Sequence, residues 1–425
     1  MNRELPMIRC LLLALLTAPL AQAASTGAGI DAFREGFRSV TPRTFDSGGE
    51  VARRFHLDAP AYLEMATIAR TVPERPLPLD LQPALAALEI RHPAGRARFG
   101  DYVTTHPLVD GVILLHGGRV VFEAYPRMAP WQRHFAWSVS KVVVSTALAA
   151  LVAEERVDMS ANVAAYVPLL AGTAWDGTSV RDVANMASGI DCRDADGYQT
   201  SSTCIYRLEE ALGITAPTGY EDGLEAHLRA MSRRGPAGRR NEYASANTIV
   251  LSLVIEAVTG SPFSRVVQDR LWAPMGAEAD GLMAISPEGF SYASAGLSLR
   301  LRDLARFGEL VTRPAEFGVL GPELLADMQG VQGIALDAER LARMGDDFPD
   351  DLPVRAAWQW DLVWPDGALY KGGYSGQGLY VDPARQLVMA WFGTGEHYGA
   401  TNHALTSIAR QLARSGLFEA QPPTR

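Results

Sequence analysis

Ser138 and Lys141 stand three residues apart in Trp137-Ser138-Val139-Ser140-Lys141, at the head of an apolar run that reads as a helix. Positions i and i+3 share a helix face one turn apart, so hydroxyl and amine can meet without help from the rest of the fold. A serine hydroxyl attacks a carbonyl only when a neighbouring base takes its proton, and a neutral amine can be that base. Lysine usage sharpens this reading. Of 39 basic residues only Lys141 and Lys371 are lysines; arginine carries the rest. Arginine keeps its proton in a protein, whereas lysine gives it up when buried or placed beside another cation. Two later stretches can complete a site. Tyr243-Ala244-Ser245 precedes a helix, and a tyrosine oxygen near a lysine can pass a proton to a leaving group. Lys371-Gly372-Gly373-Tyr374 lies in a strand region, where glycines mark close approach of a ligand or another backbone. The N–H groups of Tyr374 and of Ser138 are candidates to bind an oxyanion.

The elements that must position these groups follow from pattern. Gly111–His116 and Arg119–Tyr125 are apolar arms around Gly117-Gly118, a two-residue hairpin turn, which places them in a sheet covered on one face. The Ser138 helix runs to about residue 157. Between about 160 and 288 the signals are helical, with helices at 179–186, 223–233 and 246–259, the last ended by Gly260, and another opened by Ser261-Pro262. A helix over 298–312 shows Arg300, Arg302, Asp303 and Arg306 as its polar side. From about 356 the period becomes two, an antiparallel meander of Trp358–Trp364, Leu369–Lys371, Gly378–Val381 and Leu387–Phe392, before a last helix at about 402–415. Strands thus lie at both ends and helices between. The organisation predicted is an α/β domain from 101–136 and 290–425, with an α-helical domain at 137–289 inserted. Residues 24–100 read as an extension laid over the body, with a short helix at 60–69 and a proline-rich stretch at 73–83.

Composition bounds the rest. With 425 residues, 48% hydrophobic and 20% charged, the chain can bury a large core. Residues 1–23 carry Arg3 and Arg9, an apolar centre from Leu11 to Leu20, and Ala21-Gln22-Ala23, the pattern of a secretory signal and hence of a secreted or periplasmic protein. Its removal takes Arg3, Arg9 and Glu4 from 39 basic and 48 acidic residues, leaving 37 and 47, a net charge of −10. That argues against nucleic acid as a partner, and no later stretch is long and apolar enough to span a membrane. Cys192 and Cys204 remain, and in an exported chain a disulfide is the default. The eight histidines show no metal-binding spacing, and the Ser–Lys chemistry requires neither metal nor organic cofactor. His134, close before Ser138, reads as structural.

Taken together, Ser138-x-x-Lys141, Tyr243-x-Ser245 and Lys371-Gly372-Gly373 resemble the motifs of the serine β-lactamase and penicillin-binding-protein superfamily, in matching order and spacing across roughly residues 105–415. The likeness is nearest to its class C β-lactamase-like branch, and within it to 6-aminohexanoate-dimer hydrolase-type enzymes, through Asp110-Gly111, Tyr166-Val167-Pro168, Ser188-Gly189, Arg302-Asp303-Leu304-Ala305-Arg306-Phe307-Gly308 and Asp382-Pro383. The resemblance implies an antiparallel sheet flanked by helices, no cofactor, a small amide or ester substrate, Ser138 as nucleophile and Lys141 with Tyr243 as general base and acid. It also implies that Tyr374, Lys371, Gly373 and Ser245 serve the oxyanion or substrate. Ser245 stands where penicillin-active members often carry Asn, and Gly372 where they carry Thr or Ser, which favours the hydrolase branch. β-Lactamase or D-alanyl-D-alanine carboxypeptidase-like activity, and a catalytically silent binding or sensor protein on the same fold, are the alternatives.

Overall fold

The computed structural model describes residues 27–220, 222–349, 351–397 and 404–420. The signal pattern at 1–23 and the first two residues expected of the last helix lie outside them. The helix Gly27–Ser39 belongs to a unit of its own, and the chain from Val40 onward forms the other.

Fourteen strands form among the described residues: β1 (Met65–Ile68), β2 (Glu89–His92), β3 (Gly95–Arg98), β4 (Val109–His116), β5 (Arg119–Ala124), β6 (Arg133–Phe135), β7 (Gly281–Ala284), β8 (Leu297–Arg300), β9 (Ile334–Ala335), β10 (Arg355–Ala357), β11 (Trp360–Val363), β12 (Leu369–Gly372), β13 (Gly378–Asp382) and β14 (Leu387–Gly393). Eight build one antiparallel sheet in the order β5-β4-β14-β13-β12-β11-β10-β9. The strands from the two ends of the chain meet at the β4–β14 pair, where Trp391 lies opposite Val112. A smaller sheet runs β1-β7-β8-β6, and β2 and β3 make a separate hairpin. The β4–β5 hairpin forms as the Gly-Gly turn predicts, with φ of 55° at Gly117 and 80° at Gly118.

The hairpin's sheet is covered on both faces, not one. Val112, Leu114, Met389 and Trp391 enter one apolar cluster with the C-terminal helix Ala404–Ala413. Ile113, Leu115, Val388, Ala390 and Phe392 enter another with the helix Leu301–Thr312. This explains why these strands read as unbroken apolar runs: when both faces are buried, alternation disappears. The helix Ser140–Ala153 packs against Ser245–Thr259 within the second cluster.

Three local expectations need correction. Residues 60–69 form a 3₁₀ turn at Ala59–Ala61 and then β1, because pairing with β7 overrides local helical preference. Residues 297–300 are strand β8, so the following helix starts at Leu301. Its polar side is not solvated: Asp303 and Arg306 are buried, and Arg306 pairs with Asp303 and Glu278, both at 3.1 Å. The helix after Gly260 has Pro262 as its N-cap without a side-chain cap, and Glu256 accepts the Phe263 N–H at 2.8 Å instead of Ser261.

Candidate active site

Strand β6 delivers the chain to the site. Ala136 donates its N–H to Leu297 O of β8 at 2.8 Å, and the next residues turn into a 3₁₀ segment, Trp137–Val139, that leads into the helix Ser140–Ala153. Trp137 takes φ of 46°, a left-handed conformation that costs free energy in a bulky residue. Its surroundings hold it there. Its indole N–H donates to His56 Nε2 at 2.8 Å, and its ring packs against Phe45, Phe135 and Tyr374.

Ser138 and Lys141 meet as their spacing on one helix face predicts. Lys141 Nζ lies 3.0 Å from Ser138 Oγ, 2.9 Å from Ser245 Oγ and 2.9 Å from Ser294 O. The Lys141 side chain is fully buried while Ser138 keeps partial exposure. Burial pushes the lysine down to about 7; Lys371 adds repulsion, and Asp194, Asp361 and Glu209 pull the other way. An amine in that range is available as a base near neutral pH.

Tyr243 stands between the two lysines. Lys371 Nζ donates to its hydroxyl at 2.9 Å, and Ser138 is its other hydrogen-bond partner. Burial, then the charges of Asp361 and Asp194, drive Tyr243 well above the usual phenol range, so it stays a neutral phenol. Lys371 is fully buried and paired with Asp361 at 2.6 Å, and Asp361 also accepts the Gly372 N–H at 3.0 Å. That placement holds the Lys371 ammonium between the Tyr243 hydroxyl and Asp361.

The C-terminal end of β12, an inner strand paired with β11 and β13, closes on Ser138. A Cβ on Gly373 would lie 2.8 Å from Ala136 O, nearer than a side chain tolerates, so glycine is what lets this backbone approach the Ser138 turn. Gly373 and Tyr374 line a cleft of about 460 Å³ together with Ser138, Tyr243, Arg340 and Asp361. Ser245, in contrast, faces inward: it is buried, with its hydroxyl between Lys141 and Asp194. His134 is buried, bonded to Asp110 at 3.2 Å and stacked on Phe392.

Several residues of the site carried no flag in the sequence. Asp194 accepts both the N–H and the hydroxyl of Ser245, each at 2.7 Å. It lies in the loop closed by the Cys192–Cys204 disulfide, which is formed, with Cα atoms 5.1 Å apart. An acid so near a cysteine is an ordinary loop residue until the fold is known. Asp361, alone within the apolar Trp360-Asp361-Leu362-Val363, had a readable signal: a carboxylate in a buried strand needs a partner. Glu209 and Asp46 border a chamber of about 30 Å³ behind Ser138 and Ser245. Burial raises Glu209 to about 8 and Asp46 to about 6. Asp46 comes from the extension, a segment that contributes nothing to the motif set.

A serine with a buried lysine at its hydroxyl, a phenol held by a second lysine, and a glycine-rich strand end opposite define a serine hydrolase on a helix-flanked antiparallel sheet. The chain belongs to the Beta-lactamase family, whose pattern matches residues 96–413. It is 30% identical over 361 residues to the 6-aminohexanoate-dimer hydrolase of Paenarthrobacter ureafaciens, covering 82% of this chain and 88% of that protein. Its fold is shared with a putative 6-aminohexanoate-dimer hydrolase from Bacillus anthracis, at a TM-score of 0.73 and 20% identity, with 89% of this chain and 96% of that one covered. A D-stereospecific amidohydrolase from Streptomyces sp. shares it more distantly, at 0.52 and 18%, with coverage of 72% and 94%.

Proposed function

We propose that this protein hydrolyses small amides or esters through an acyl-enzyme on Ser138. Ser138 Oγ attacks the carbonyl carbon while Lys141 Nζ takes the hydroxyl proton. The oxyanion is held by the N–H groups of Ser138 and Tyr374. Tyr243 passes a proton to the leaving amine or alkoxide, and Lys371 across from it steadies charge on the phenol oxygen. Water then attacks the acyl carbon with the same groups acting in reverse. The observation that carries this reading is the 3.0 Å contact between Ser138 Oγ and a fully buried Lys141 amine.

The substrate we propose is a linear amide of the kind named by the relatives, a short ω-amino-acid oligomer. The cleft has the volume of a small-molecule site. A β-lactam carboxylate is poorly served, because Asp361 neutralises Lys371 and Gly372 offers no hydroxyl. We propose further that the protein is exported, on the pattern of residues 1–23 and the disulfide. The test is covalent labelling by a fluorophosphonate followed by intact mass, beside hydrolysis of 6-aminohexanoate dimer, p-nitrophenyl acetate and a cephalosporin. The parent takes one adduct and Ser138→Ala takes none; an adduct on the alanine variant removes Ser138 as nucleophile.

A further inference from the structure

We propose that Asp194 is a positioning residue for the base: by accepting the hydrogen bond of the Ser245 hydroxyl it makes Lys141 turn its lone pair toward Ser138. The inference rests on the reading of Ser138 and Lys141 as nucleophile and base, and concerns how that pair is set.

Hydrogens around the amine can be counted. Lys141 Nζ has three partners, Ser138 Oγ, Ser245 Oγ and Ser294 O. A neutral amine brings two hydrogens and one lone pair, so one partner must donate to it. Ser294 O is a carbonyl and only accepts. Either hydroxyl can fill the donor position, and the two choices differ in chemistry. If Ser245 donates, the lone pair is spent on a bystander, and Ser138 receives an N–H where it needs a base.

Asp194 removes that choice. Its carboxylate only accepts, and its two oxygens meet two donors of one residue, the Ser245 N–H at Oδ1 and the Ser245 hydroxyl at Oδ2, both at 2.7 Å. The single hydroxyl hydrogen of Ser245 is thereby committed, and Oγ can only accept from Lys141. Both amine hydrogens then go to Ser245 and Ser294, and the lone pair is left for Ser138. On acylation the Ser138 O–H bond breaks as the bond from Oγ to the carbonyl carbon forms. The proton moves to Nζ, and the resulting ammonium donates to its partners. Asp194 is itself anchored, its N–H donating to Tyr243 O at 3.1 Å and its Oδ2 also accepting from the Tyr198 hydroxyl.

Asp194→Asn gives the decisive test, because an amide has one acceptor oxygen where the carboxylate has two. The Ser245 N–H, which only donates, claims it. The amide NH₂ then faces Ser245 Oγ and drives its hydrogen onto Lys141. Acylation by the fluorophosphonate is expected to fall by about 10²-fold, the scale of losing a general base. Adding Ser245→Ala removes the competing hydrogen, and the double variant is expected to acylate roughly tenfold faster than Asp194→Asn alone. A merely structural role for Asp194 makes the double variant no faster than either single one. The acid limb of the acylation rate should also move to lower pH in Asp194→Asn. That variant removes one anion from those around Lys141, leaving Asp361, Glu209, Lys371 and the Tyr243 phenol in place. If the amide variant misfolds, the same rescue is sought for Asp194→Ala. Acylation of Asp194→Asn at the parent rate, or the absence of rescue, overturns the proposal. Labelling that survives Ser138→Ala or Lys141→Arg overturns the underlying assignment instead.

Discussion

Ser138 needs a base at its hydroxyl, and of the two groups nearest it the environment separates their roles. Burial brings Lys141 down to about 7 and drives Tyr243 well above 10, which in the proposed mechanism makes the amine the acceptor and the phenol the relay. The acylation rate should therefore rise with pH through about 7 as Lys141 loses its proton. Lys141→Arg keeps the charge but cannot accept a proton. It is expected to fold and to lose acylation by at least about 10²-fold, with circular dichroism run beside the rate. A folded variant that acylates near the parent rate would move the base elsewhere. Glu209 makes a separate prediction. Its folded value near 8 lies above the ordinary 4.5, so its contribution to stability is present below about pH 4.5 and lost as pH rises toward 8. Glu209→Gln keeps an acceptor for the Tyr292 hydroxyl and removes the titration. Its stability relative to the parent should grow between pH 5 and 8, by on the order of 3 kcal/mol, in urea melts. A difference that stays flat with pH would refute this.

Three segments distant in the chain assemble the site: the β6-to-helix turn, the start of the Ser245–Thr259 helix, and the C-terminal end of β12. A fourth, the loop between Cys192 and Cys204, brings Asp194 to the N-terminus of that second helix, where a carboxylate also complements the helix dipole. The disulfide closes a span of 12 residues, and its loss should cost about 3 kcal/mol by loop-closure entropy. Because the loop also carries Tyr198 into the cleft, the Cys192→Ser/Cys204→Ser variant should lose acylation rate at temperatures where circular dichroism still shows it folded. Full activity in that variant would make the disulfide a staple for stability alone.

Across the whole chain, the extension from Val40 packs against the candidate active site. The helix Gly49–Leu57 packs on β6, Phe45 stacks on Trp137, and His56 accepts from the Trp137 indole while its Nδ1 meets Thr394 at 3.2 Å. Thr394 and His134 both bond Asp110, so one buried chain of polar groups joins the extension, β4 and the end of β14 behind the nucleophile. Trp137→Phe should cost about 1–3 kcal/mol, because it leaves His56 Nε2 buried without its donor. It should also slow acylation, since the strained backbone before Ser138 loses a restraint. Urea melts and labelling rates check both; a variant equal to the parent in each would show the extension to be a passive cover.

The features legible in residue order alone are local in origin. The Ser138–Lys141 pairing needs only one helical turn. The Gly117-Gly118 hairpin needs only two positive φ angles, and the meander shows as short apolar runs separated by turn residues such as Asp366-Gly367 and Asp382-Pro383. The order of the motifs along the chain carried the family. Contacts between residues far apart in sequence had to wait for the folded chain. Asp194 accepts from both donors of Ser245, Asp361 pairs with Lys371, Phe45 and Asp46 line the chamber behind Ser138, and His56 accepts from Trp137. No periodicity records such contacts, because a carboxylate in a loop and a histidine on a short helix look the same whether they face water or a buried partner. Lys141 shows the division in one side chain: its spacing from Ser138 was legible, but its weakened hold on a proton comes from complete burial, which the packing of the whole chain creates.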